Sequence, residues 1–309
     1  MYRILLLGMV MAAGGQAARL LTPADLTAYP EMSECVLAPD GRTVAVVTGS
    51  GHIALYPGGR LLTAGDFRDS SPRWSPDGKR IAFFSNRKGA NLWVAEVAGG
   101  TSTPITEVAH SNFWLPSKGN GLAWSPDSQR LAFVGADPAV PAPAADPRVI
   151  TRLQFKSRTD YSDDRREHVW IVDAGAGAKP RQLTSGDFHE HSIDWRDRRI
   201  VFVSNRRPDP DAVHNYDLFT VDVEAGTVRR LTGTPGCEYA PVFSPDGRWI
   251  AYTATKRAIT TVDSVAEDTH VWALPSKGGP ARFLNHSLDR RSSAPRWAWV
   301  NAASTLVMT

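Results

Sequence analysis

Two histidines one residue apart, His189 and His191, sit in the stretch GDFHEHSIDW with Asp187 and Glu190 beside them. In an extended segment alternate side chains share a face, so both imidazoles would point the same way. Two imidazoles and a carboxylate form a ligand set that zinc or a related ion accepts. Spacing fixes no third ligand, however, and two loop histidines without one are expected to be solvated. No metal and no cofactor is expected.

A second group lies in a long insertion that begins GADPAVPAPAADP and continues RVITRLQFKSRTDYSDDRREH. The Pro/Ala half reads as an extended spacer. Residues from Val149 to Phe155 alternate like a strand, and the remainder is densely charged. Arg152, Lys156, Arg158, Asp160 and Tyr161, together with His189 and His191, are candidates for contact with a substrate or a neighbouring domain. The plainer reading of the same residues is a solvated hairpin.

Serine catalysis on an α/β-hydrolase scaffold needs a G-x-S-x-G turn, and none occurs in the 309 residues. A P-loop, an H-E-x-x-H pair and an EF-hand loop are also absent. No spacing ties a Ser, a His and an Asp into a triad. No catalytic residue is therefore expected in this sequence.

The elements that would position these residues come from a repeat. VLAPDGRTVAVV, RWSPDGKRIAFF, AWSPDSQRLAFV and VFSPDGRWIAYT begin at Val36, Arg73, Ala123 and Val242. Each places a large apolar residue before a Pro-Asp turn and another seven positions on. Weaker copies begin at Asp194 and Arg296. Pro presets φ, Asp bonds its own backbone, and Gly takes a left-handed position. After the turn, apolar residues alternate with the period of a half-buried strand. Downstream come HIALY, NLWVAEV, HVWIVDA, DLFTVDV and HVWALPS, and then RLLT, TPIT, RQLT, RRLT and RFLN.

Each unit thus offers four short strands, and a repeated four-stranded antiparallel unit is the mark of a β-propeller. The expected fold is all-β, with five complete blades near 34–64, 71–107, 121–185, 192–233 and 240–285 and half of a sixth from about 294. The tryptophans at 74, 124, 195 and 297 and at 93, 170 and 272 are expected between blades. Strand direction puts the 1–2 and 3–4 turns on one face and the 2–3 loops and blade-to-blade crossovers on the other. The long connections 135–167, 204–216 and 254–269 are all 2–3 loops, so elaboration gathers on one face, where function usually sits.

The first 17 residues carry Arg3, an apolar run from Ile4 and small residues at Gly15 and Ala17. This is the pattern of a secretory signal peptide, too short to span a bilayer. The organisation expected is a signal peptide (1–17), a lead segment (18–33) and a propeller (34–309) that stops within a blade. Export to the periplasm or medium follows, with no membrane span after cleavage. Cys35 and Cys237 fall at non-equivalent repeat positions, so no disulfide is expected even in an oxidising compartment. A net charge of +3 with interspersed signs gives no nucleic-acid footprint.

LTPADL before the first blade, RVITRLQFKSRTDY in the insertion, and RQLTSGDF, VFVSNRRPDPD and YDLFTVDVEAGTVRRLT in register resemble the N-terminal propeller of the prolyl oligopeptidase family of serine peptidases, in its acylaminoacyl-peptidase branch. The resemblance covers residues 21–300. It implies a propeller that admits short peptides to a C-terminal α/β-hydrolase domain holding the catalytic residues. The chain contains none of that domain's motifs, so no catalytic residue is carried over, and the missing domain is the expected partner. An open array of blades is expected to aggregate or oligomerise on its own. The other readings are a TolB-like periplasmic binding propeller, whose relatives place a separate domain ahead of the repeats, and a metal-dependent lyase propeller.

Overall fold

The computed structural model describes residues 32–112, 119–138, 150, 153, 155–157, 160–163, 165–210, 215–257, 269–284, 297–300 and 305–308. Residues 1–31, which hold the expected signal peptide and most of the lead segment, lie outside them.

The Pro-Asp turns form because three side-chain bonds close each one. In blade 2 the Ser75 hydroxyl donates to Asp77 Oδ1 at 2.6 Å and accepts the Arg80 amide at 2.9 Å. Ser125 with Asp127 and Ser244 with Asp246 repeat this at 2.5 and 2.6 Å. The aspartate then accepts the amide of Lys79, Gln129 or Arg248 at 3.1, 3.0 and 3.0 Å. Gly78 takes φ +69°, and Ser128 and Asp197 hold the same left-handed position at +62° and +52° without a glycine.

Either side of those turns the strands pair as the repeat requires. Blade 1 is Met32–Leu37, Val44–Thr48, Ile53–Tyr56 and Arg60–Leu61. Blade 2 is Asp69–Trp74, Arg80–Ser85, Leu92–Glu96 and Ser102–Thr106. Blade 3 is Leu122–Trp124, Arg130–Ala136, Glu167–Asp173 and Arg181–Gln182. Blade 4 is Glu190–Arg196, Arg199–Ser204, Asp217–Asp222 and Val228–Arg230. Blade 5 is Glu238–Phe243, Trp249–Ala254, His270–Pro275 and Arg282–Phe283. A further hairpin, Trp297–Val300 with Thr305–Met308, matches the first two strands of a sixth. The all-β propeller expected from the repeats is what is found, and no helix occurs among the described residues.

The strand after the turn is buried on both faces, where the alternation alone suggested one. Ile200 and Phe202 pack toward blade 3, while Val201 and Val203 pack toward blade 5. Ile81 and Phe83 likewise face blade 1, and Ala82 and Phe84 face blade 3. The core is therefore four apolar layers, one in each gap between successive blades. At about 25 cal/mol per Å2 of apolar surface removed from water, such layers are what hold neighbouring blades together.

The tryptophans serve these gaps. Trp74 Nε1 donates to the Val36 carbonyl of blade 1 at 3.0 Å, and Trp124 Nε1 to the Arg73 carbonyl of blade 2 at 2.9 Å. Trp93, Trp170 and Trp272 pack against the layers as partly buried side chains. Trp195 is buried in the layer between blades 3 and 4, and the side chain of Trp297 lies outside the described residues. Cys35, in blade 1, and Cys237, just before blade 5, are not joined by a disulfide.

Candidate functional site

First strands of successive blades touch one another, so they are innermost. A bulge recurs in them, between Ser70 and Arg73, His191 and Asp194, and Tyr239 and Val242. Ser71, Ser192 and Ala240 take left-handed φ of 54°, 55° and 48° there. The bulge turns polar residues toward the inner strands of other blades. Glu34 Oε1 accepts the Ser71 amide at 2.9 Å, and Asp194 Oδ2 accepts the Phe243 amide at 2.7 Å. Burial pushes Asp194 up to about 6, while the Phe243 and Trp195 amides and the charges of Arg196 and Arg73 pull it down. Glu34, Arg73 and Asp194, from blades 1, 2 and 4, thus form an inner charged group that the repeat did not announce.

The face of 2–3 loops and crossovers carries a second arrangement. The threonine ending an LT strand stands six residues before an acid that opens the next blade: Thr63 and Asp69, Thr184 and Glu190, Thr232 and Glu238. Each threonine hydroxyl accepts an amide near the start of its third strand, from Ile53, Val169 or Leu218, at 2.9 Å. Asp69, Glu190 and Glu238 are buried. Arg87 reaches Asp69 at 3.2 Å and lies 3.7 Å from the Phe67 ring centroid. Arg206 reaches Glu190 at 2.5 Å and lies 4.1 Å from the Phe188 centroid. A guanidinium flanked by aromatic faces gains cation–π attraction besides its ion pair.

Glu190 is the most connected of these acids. Its Oε2 accepts the Thr184 hydroxyl and, at 3.3 Å, the Val169 amide. His168 Nδ1 stands 3.5 Å from the same oxygen, with its Nε2 3.5 Å from Asp137.

The candidate histidines lie at this clasp and are buried rather than solvated, with His189 7% and His191 1% exposed. His189 Nδ1 accepts the Glu167 amide at 3.4 Å, and His191 Nδ1 meets the Ser192 hydroxyl at 2.9 Å. The His191 ring meets Tyr216 edge-on at 5.3 Å. Their two carboxylates are engaged elsewhere, Asp187 by Arg166 and Glu190 by Arg206. Among the described residues no group of three or more His, Cys, Asp or Glu is arranged for a metal.

The insertion holds a short hairpin, Lys156–Ser157 with Asp160–Tyr161. Its strands fall later than the alternation over 149–155 suggests; Ile150, Leu153 and Phe155 are not in strand. Lys156 Nζ stands 5.2 Å from the Tyr161 ring centroid, and Phe155 lies beside Tyr161 at 6.3 Å. Arg152 and Arg158, and the side chain of Asp160, lie outside the described residues. Asn112 pins the hairpin by donating to the Tyr161 carbonyl at 2.8 Å, and Ser111 donates to Asp163 at the same distance. Ile150, Leu153, Phe155 and Tyr161 are 50%, 70%, 36% and 50% exposed, an apolar surface on the elaborated face. The structure thus gathers Lys156 and Tyr161 in one place and His189 and His191 in another.

Five antiparallel four-stranded blades define a β-propeller. Residues 59–141 match the family model described as the dipeptidyl peptidase IV N-terminal region. The chain is 26% identical over 271 residues to the uncharacterized peptidase YuxL of Bacillus subtilis, an alignment covering 83% of this chain and 34% of that protein. It is 24% identical over 328 residues to dipeptidyl-peptidase 5 of Porphyromonas gingivalis, covering 94% and 46%. The chain thus spans between a third and a half of the length of these curated relatives. Among solved structures, Pyrococcus horikoshii acylaminoacyl peptidase aligns with TM-score 0.61 at 18% identity, over 86% of this chain and 41% of that one. The putative TolB from Agrobacterium tumefaciens aligns with TM-score 0.57 at 18% identity, over 82% and 80%. At these identities the structural likenesses speak for the fold. The resemblance to peptidase propellers read from the repeats and inserted segments is borne out.

Proposed function

We propose that this chain is the non-catalytic propeller of an exported serine peptidase of the prolyl oligopeptidase type, which restricts an α/β-hydrolase domain to short peptides. The observation that carries the reading is the match of residues 59–141, from blade 1 into blade 3, to a peptidase propeller family. Supporting it, the exposed apolar side chains of the insertion lie on the one elaborated face, a suitable seat for a neighbouring domain. Export rests on the signal-like first 17 residues.

The test is to purify the 309-residue chain with and without a hydrolase domain of this family supplied on the same polypeptide. The chain alone is expected to leave chromogenic dipeptides intact, and the fused enzyme to cleave short peptides in preference to long ones. Equal cleavage of long and short peptides by the fused enzyme, or cleavage by the chain alone, would sink the idea. Mass analysis of the exported product, expected to begin near residue 18, tests the export step.

The second reading is a TolB-like interaction propeller. It is supported by the likeness of the fold to the putative TolB from Agrobacterium tumefaciens. Capture of an envelope protein by the exported chain, with no effect on a fused hydrolase, would select it.

A further inference from the structure

Three crossovers carry the threonine–acid clasp, and only two have its guanidinium. Lys256 occupies the position after the second strand of blade 5 that Arg87 and Arg206 occupy in blades 2 and 4. Its Nζ instead stands 5.1 Å from the Phe283 ring centroid. Among the described residues no cationic side chain lies within the 4 Å ion-pair distance of Glu238, whereas Asp69 and Glu190 each have one.

Glu238 has no exposed surface. Its Oε1 accepts the Thr234 hydroxyl at 2.6 Å, and its buried Oε2 has no hydrogen-bond partner. The Glu238 amide donates to the Tyr216 carbonyl at 2.9 Å, which sets the residue beside Asp217. Asp217 is also buried; Arg230 reaches its Oδ2 at 2.5 Å, and its Oδ1 has no hydrogen-bond partner. Two carboxyl groups thus adjoin in a buried place where the guanidinium groups of the described residues reach only Asp217, Arg230 at 2.5 Å and Arg207 at 3.9 Å, and each carboxyl keeps one buried oxygen without a hydrogen bond. An ionised carboxylate left so is costly, and a proton removes the cost.

We propose that the crossover between blades 4 and 5 is closed by a proton held on Glu238 at neutral pH, in the place a guanidinium holds elsewhere, and that loss of this proton to solvent at alkaline pH destabilises the propeller. The charged and titratable groups facing it are Asp217 and Arg230 from blade 4, with Arg207 3.9 Å from Asp217, and Tyr239 and Tyr252 from blade 5. Burial pushes Glu238 up to about 8, and Asp217 adds to the rise, while the nearby hydroxyls of Thr234 and Thr232 and the charge of Arg230 oppose it. An acid whose folded value lies above its unfolded value binds more protons when folded, so stability falls as pH rises from 4.5 through about 8. Thr234 also walls a shallow recess of about 580 Å3 lined by Arg207, Asp209 and Asn215, so the clasp borders a surface on the elaborated face.

The experiment is thermal unfolding of the full chain between about pH 6 and about pH 9.5, for the natural sequence, Glu238→Gln and Glu190→Gln. The natural chain is expected to lose several degrees over this range, Glu238→Gln to stay nearly level, and Glu190→Gln to melt lower throughout with the natural slope. A Glu238→Gln chain that falls as steeply as the natural one overturns the proposal. Infrared difference spectra of the natural chain decide the matter even if the variant does not fold. A protonated-carboxyl carbonyl band that fades between the two pH values supports the proton, and absence of that band at both values removes it.

Discussion

Arg206 holds Glu190 at 2.5 Å from across the loop face, and Glu190 has no exposed surface of its own. The pair ties the end of one strand to the start of another sixteen positions earlier in the same blade. Arg87 does the same for Asp69 two blades away. The propeller is thus fastened by apolar layers between its blades and by buried charge pairs at its loop face.

Removing the cation leaves a buried carboxylate without its ion-pair partner, a loss of up to about 3–5 kcal/mol, eased by the Thr184 and Val169 donors that remain. Arg206→Ala is expected to lower the unfolding free energy measured by urea titration by that amount, and Arg206→Lys by less, since an ammonium keeps the charge and loses the planar fork. Equal stability of Arg206→Ala and the natural chain would show the pair to be incidental.

Gly65 and Gly186 are required by the rings that follow them. A Cβ would stand 2.3 Å from Phe67 at Gly65 and from Phe188 at Gly186, where φ is +150° and +134°. Ala at either position is expected to cost about 3 kcal/mol or more, from strain plus a displaced ring. Gly78→Ala meets nothing within 4 Å and should cost only the left-handed backbone, roughly 1 kcal/mol. Chemical unfolding of the three variants would expose any reversal of that order.

Asp194 gives the inner strands a pH dependence. Its folded value of about 6 lies above the ordinary 3.8, so the folded state keeps a proton that the unfolded state has lost. Stability should fall as pH rises from about 4 to about 6. The slope over this stretch should not exceed the ~1.4 kcal/mol per pH unit of a fully coupled group. Asp194→Asn should flatten this stretch of the stability curve measured by calorimetry.

Asp246 has the opposite sign. The Ser244 hydroxyl, the Arg248 amide and the Arg248 guanidinium bring it down to about 2 from 3.8. Its contribution is present above pH 3.8 and is lost as pH falls through about 2. Asp246→Asn should remove that part of the acid unfolding transition and lower melting near neutral pH, where the contribution is fully present. A transition that keeps its midpoint would mean the turn bonds are also made in the unfolded chain.

Much of the architecture was legible because turn chemistry is local. Ser75, Asp77 and Gly78 interact within a few residues, so the same letters report the same turn wherever they recur. The clasp was half legible. The six-residue spacing from Thr184 to Glu190 stands in the sequence, but the meaning of Glu190 depends on Arg206, which reaches it only once two strands have paired. His189 and His191 misled for a related reason. Their place ahead of a strand suggested a solvated loop, and the bulge at Ser192 with the packing of Tyr216 buries them.

The sequence by itself determined the repeated four-stranded unit, its turns and the face that bears the long loops, since each follows from period-2 alternation and short-range hydrogen bonds. Tertiary structure alone decided which side chains of a strand face which neighbour, which acids are buried, and which of those have a cation. Burial and pairing are set by residues brought together from distant repeats. Glu190 and Glu238, alike in spacing, differ in that Arg206 reaches the first and, among the described residues, no arginine pairs with the second.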